Sequence, residues 1–78
     1  MSIKRRRKLT QFEEEIWRAI LNFYEQTGIM PLRRELADAL SYGGRIVSDQ
    51  LIQYWLRSME SKGWILLDPR KKRGILLK

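Results

Sequence analysis

Gln50, Gln53, Tyr54 and Arg57 fall on one side of a helix drawn through residues 48–62, with Asp49 beside them. Amides, a phenol and a guanidinium are groups that hydrogen-bond base edges. A Gln amide pairs with adenine in bidentate fashion, and Arg reaches guanine or a phosphate. A merely solvated helix face more often carries a Lys/Glu mixture. Cations cluster elsewhere in the chain: Lys4, Arg5, Arg6, Arg7 and Lys8 at the start, Arg33 and Arg34, Arg45, and then Arg70, Lys71, Lys72 and Arg73. These are side chains suited to a phosphate backbone, where they release counterions without reading sequence.

Other chemistry is poorly served. The chain has no cysteine and no histidine, which excludes zinc fingers, Ser-His-Asp triads and Cys-His pairs. No paired carboxylates, nucleophile–base pair or phosphate-cradling glycine loop is visible, and Gly43-Gly44 alone is far too weak for a nucleotide site. The reading is therefore not an enzyme, with no cofactor, no metal and no small-molecule substrate. No exposed aromatic platform of the RNA-recognition type stands out. Sixteen basic and nine acidic side chains leave a net charge of +7, which favours a polyanionic partner. No apolar run is long enough to span a bilayer, and the basic residues do not lie along one amphipathic helix, so no membrane partner is expected. The absence of cysteine fits a reducing cytosol.

The elements that must position these groups follow from capping and periodicity. Residues 10–27 read as the first helix. Thr10 and Glu13 form a capping box, Glu13 to Glu15 suit the positive end of the dipole, and Gly28 is the stop. Phe12, Ile16, Trp17, Ile20, Leu21 and Tyr24 make its apolar stripe, and the acidic turn argues that this end points away from a polyanion. Pro31 leads into a short second helix over 32–40, with Leu36, Ala37 and Leu40 inward and Arg33 and Arg34 at a dipole end that a phosphate would relieve. In the connection 41–47, Gly43-Gly44 breaks the helix, Arg45 is exposed and Ile46 or Val47 docks. Ser48 caps the third helix and Gly63 ends it; Leu51, Ile52, Trp55, Leu56 and Met59 form its inner stripe. Trp64-Ile65-Leu66-Leu67 and Ile75-Leu76-Leu77 suit two strands, joined through Asp68-Pro69 and Gly74, with the four cations at the tip.

With 78 residues, one domain is expected: a basic arm over 1–8, disordered by charge repulsion, followed by a folded unit over 9–78. The fold class is mainly α with a small antiparallel β-hairpin, a winged helix-turn-helix of three helices plus wing.

In this order the residues resemble the N-terminal DNA-binding domain of LexA-type repressors. The likeness is carried by Leu9-Thr10, Gly28, Pro31, Glu35-Leu36-Ala37, Leu40, Ile52, Trp55-Leu56, Met59, Lys62-Gly63, Ile65 and Arg73-Gly74-Ile75. It implies that Ser48, Gln50, Leu51, Gln53 and Tyr54 occupy base-contacting positions. It also implies a cytoplasmic, DNA-associated protein of a prokaryote or virus. Three departures stand out. Leu32 occupies a position where the family commonly has a threonine cap. The connection 42–48 is about four residues longer than the family's turn, which would change the angle of the third helix. Gln53 and Tyr54 replace acidic side chains, so the family's operator does not carry over. The family's self-cleaving serine–lysine domain is not expected for a chain ending at Lys78.

The functional expectation is a sequence-specific double-stranded DNA-binding regulator, a repressor. The helix over 48–62 enters the major groove, and the wing over 68–74 lies on the minor groove or backbone. One unit covers one half-site, so useful specificity calls for a homodimer on DNA or two adjacent copies. The alternative is a winged-helix protein–protein interaction module with only nonspecific nucleic-acid affinity.

Overall fold

Each helix begins where a side chain satisfies an orphan amide. The computed structural model describes residues 7–77, and among them lie three helices and one two-stranded hairpin. Thr10 Oγ1 accepts from the Glu13 amide and Glu13 Oε1 accepts from the Thr10 amide at 2.8 Å, which starts α1 (Gln11–Thr27). Helix α2 (Arg33–Leu40) has no hydroxyl at Leu32. Glu35 Oε1 takes the Leu32 amide at 2.7 Å instead, so the missing threonine is partly compensated. Ser48 Oγ accepts from the Leu51 amide at 3.1 Å and opens α3 (Asp49–Ser61). Gly63, at φ 90°, reverses the chain immediately afterwards. Removing the Ser48 hydroxyl as Ser48→Ala is expected to cost about 1 kcal/mol, whereas Ser48→Gly should cost only a few tenths; urea unfolding separates the two.

The strands β1 (Ile65–Leu67) and β2 (Ile75–Leu77) pair antiparallel, with Leu66 opposite Leu76. Helix α1 packs on α2 and α3, α2 on α3, and β1 on α3. The core lies where these meet, built from Ile16, Ile20, Leu36, Ile52, Leu56, Met59, Ile65 and Ile75. Leu9 and Val47 close its margins.

Several expectations are corrected. Leu21, Tyr24 and Leu51 are exposed rather than inward, because each helix buries a narrower stripe than its apolar spacing suggests. In α3 that stripe is Ile52, Leu56 and Met59, and Leu51 sits beyond its edge. Val47, not Ile46, docks; Ile46 is 90% exposed. Ser41 Oγ donates to the Ala37 carbonyl and accepts from the Val47 amide, so the long connection is tied at both ends. Arg7, expected in the loose arm, is tied to the folded body. Its guanidinium donates to Ser61 O and Oγ, its amide to Lys62 O, and its carbonyl accepts from Trp64 Nε1. The orphan carbonyls at the end of α3 attract the cation. Lys4, Arg5 and Arg6 lie outside the described residues.

Glu13 is wholly buried and bonded to Lys62 at the far end of α3. The acidic triplet therefore serves more than the helix dipole: Glu13 fastens α1 to α3, and Glu15 holds the connection described below. Among the described residues no helix is long and apolar enough to cross a membrane.

Candidate nucleic-acid interface

The hairpin returns the chain past the outer face of α3, and a groove runs between them. The start of α2 contributes Arg33 and Arg34; α3 contributes Asp49, Gln53, Arg57 and Glu60; the wing contributes Asp68, Lys71 and Lys72. The structure thus brings together residues more than thirty positions apart in the chain, on one side of the molecule. Gln50 and Tyr54 lie beside Gln53 and Arg57 on the same exposed helix face, and Tyr54 is 65% exposed. Its ring meets Trp55 edge-on with centroids 5.2 Å apart. Ser48 and Leu51 are exposed at the helix start.

Two devices hold the wing against α2 and α3, and a third braces its tip. Arg73 Nη1 donates to Glu35 Oε1 at 2.6 Å and to the Met30 carbonyl at 2.9 Å. The Arg73 guanidinium, followed by the Leu32 amide, holds the Glu35 carboxyl below its usual range. Glu60 Oε2 accepts from the Leu67 amide at 2.8 Å, which ties β1 to α3. At the tip, Arg70 folds back on Asp68, its Nε 3.1 Å from Oδ1. That guanidinium, with the Arg70 amide, lowers the Asp68 carboxyl.

These contacts divide the basic residues. Arg73 is a strut rather than a tip cation. Arg45, expected to be exposed and to meet the backbone of a nucleic acid, is half-buried against α1. Its Nη2 lies 2.9 Å from Glu15 Oε1, its Nε donates to the Leu40 carbonyl, and its guanidinium stacks 4.6 Å from the Tyr42 ring centroid. Arg45 and the Tyr42 hydroxyl together hold the Glu15 carboxyl low. The glutamate that neutralises Arg45 stands on α1, 30 positions away, and its reach was not legible from spacing. Arg7 is engaged with the end of α3, and Lys8 is exposed at the margin beside Trp17 and Trp64. Among the described residues, Arg33, Arg34, Arg57, Lys71 and Lys72 take part in no ion pair. All five line the groove.

Gln53 is also not isolated. Its Oε1 accepts a hydrogen bond from Arg33 Nη1 across the groove. Sequence reading missed this contact and the Glu35–Arg73 strut. Only the capping role of Glu35 had a local signal, since it stands three residues after Leu32; its bond to Arg73, 38 positions away, had none. The Arg33–Gln53 contact had none either, with partners 20 residues apart. Among the described residues, no group of three or more acidic side chains could hold a metal ion.

The model of the LexA DNA binding domain family matches residues 6–74. The chain belongs to the LexA DNA-binding domain family. LexA repressor from Roseiflexus sp. (strain RS-1) is 38% identical over 71 residues, covering 91% of this chain and 31% of that protein. The chain therefore spans about a third of the length of this relative. Most of the residues that carry the LexA likeness are structural. Leu9, Pro31, Leu36, Ala37, Leu40, Ile52, Leu56, Met59, Ile65 and Ile75 are buried, and Arg73 and Glu35 bind each other. These residues build the core and the wing strut, while Gln50, Gln53 and Tyr54 stand on the outer face of α3.

Proposed function

We propose that this chain binds double-stranded DNA sequence-specifically and acts as a transcriptional repressor. Helix α3 enters the major groove, and the wing lies on the adjacent backbone and minor groove. The observation that carries this reading is the groove itself, where five cations without an acidic partner flank the polar face of α3. Gln50, Gln53, Tyr54 and Arg57, with Ser48 and Leu51 at the helix start, would meet base edges. Arg33, Arg34, Lys71 and Lys72 would meet phosphates, with Arg70 beside them. The relative named as a LexA repressor supports repression as the outcome. Two copies on adjacent half-sites would supply the specificity that one α3 cannot.

Base contacts and phosphate contacts leave different signatures. A good base contact is worth about 1–3 kcal/mol of discrimination, while a phosphate contact adds affinity and a salt slope of roughly 0.9 per charge neutralised. Gln53→Ala is expected to flatten preference for a selected duplex over a random one. Lys71→Ala with Lys72→Ala should weaken both duplexes alike and reduce the salt slope by about 2. Anisotropy titrations at two salt concentrations measure both. Equal losses on specific and random DNA for the two variants would refute this division of labour. Binding insensitive to salt would favour an apolar protein partner instead.

A further inference from the structure

Gln53 does not offer both ends of its amide to the groove. Its oxygen accepts from Arg33 Nη1, which reaches over from the first turn of α2. A guanidinium carries five donors and no acceptor, so the amide atom facing it is the oxygen and the NH2 is turned away. The hydrogen bond comes from a cation, which makes it stronger than one between neutral groups. The stem of Gln53 is half-buried between α2 and the wing. Arg57, one turn along α3, adds further donors to the same groove and no acceptor. Arg33 holds one of the two lone pairs of the oxygen and turns that end of the amide toward α2, so the end presented to a ligand is the NH2 donor.

We propose that Arg33 sets which base Gln53 reads. The inference rests on the DNA-reading function proposed above. With both amide ends free, a glutamine matches adenine, whose N6 amino group needs the side-chain oxygen while N7 takes its N–H. With the oxygen engaged by Arg33, adenine presents one acceptor and one donor facing a donor. Guanine presents N7 and O6 side by side, both acceptors. The edge that fits is guanine's. Arg33 is thus a positioning residue whose effect on base choice is separate from its charge. Its neighbour Arg34 lines the same groove with the same charge and makes no hydrogen bond to Gln53 among the described residues.

Site selection with the purified chain identifies the preferred duplex, and Gln53→Ala locates the base pair that Gln53 reads. At that pair the unmodified chain should favour guanine over adenine by roughly tenfold. Arg33→Ala should erase that preference or turn it toward adenine. Arg34→Ala should lower affinity for every duplex and leave the guanine preference intact. Adenine preferred by the unmodified chain, or guanine still preferred to the same degree by Arg33→Ala, would overturn the inference while leaving groove reading standing. A Gln53→Ala variant that alters preference at no pair would remove groove reading by Gln53, and the inference with it.

Discussion

Lys62→Met is expected to cost the fold about 3 kcal/mol, the low end of the range for breaking a buried ion pair. The residue it leaves behind, Glu13, is 0% exposed, and Lys62 is 18% exposed. Methionine keeps the apolar stem of lysine and removes only the ammonium, so the loss reports a carboxylate stranded without its cation. A domain of this size has roughly 5 kcal/mol of stability to lose, which makes this one of the most damaging single changes available. Adding Glu13→Gln to Lys62→Met should restore part of the loss, because the stranded charge is gone. A double variant no more stable than the single one would show that packing, not charge, is at stake.

The same pair predicts a pH dependence. Burial by itself would raise the Glu13 carboxyl, but Lys62, the Ser58 hydroxyl and the Thr10 amide and hydroxyl outweigh it and bring the pKa from 4.5 to about 2. The folded value lies below the unfolded one, so this contribution is complete above the unfolded pKa. It is lost as pH falls from 4.5 through about 2. Lys62→Met removes the leading lowering influence, and its stability should fall less steeply over that window. Urea unfolding at a series of pH values measures the difference; parallel acid limbs would contradict it.

Gly74→Ala is expected to cost about 2–3 kcal/mol, a melting temperature lower by roughly 10–20 °C in a domain this small. A Cβ at this position would stand 2.1 Å from the Asp68 carbonyl oxygen and 3.0 Å from that of Lys71. Both neighbours are backbone atoms held in the turn. Asp68 donates to the Gly74 carbonyl at 2.8 Å and accepts from the Lys71 amide at 3.2 Å. Relief requires the turn to open, which breaks these bonds and pulls on Arg73, the strut to Glu35, and on Ile75 in the core. Hydrogen exchange should show lost protection first in β1 and β2, with α1 spared. An unchanged melting temperature would mean that the turn has room the geometry denies. Because Lys71 and Lys72 ride on this turn, DNA affinity should fall with it.

Much of this architecture was legible in the chain because its signals are local. A capping hydroxyl and its partner amide lie three residues apart at Thr10 and at Ser48. The stripe of Ile52, Leu56 and Met59 repeats at helical spacing, Gly63 ends the helix, and Asp68 and Gly74 bracket the wing turn. A helix or hairpin draws its pattern from neighbours within a few positions, so composition and spacing alone set the fold class, the boundaries of α3 and the polar identity of its outer face.

What the tertiary structure decided is which charges remain available. Arg45, Arg73 and Arg7 look as basic as Arg34 or Lys72, but acceptors 30, 38 and 54 positions away engage them. Glu13 looked like a dipole feature and is a buried tie between two helices. Gln53 looked like a free amide and shares its oxygen with Arg33. A charge is satisfied by whatever lies within hydrogen-bond reach in space, and that distance exists only once the helices and the wing have packed.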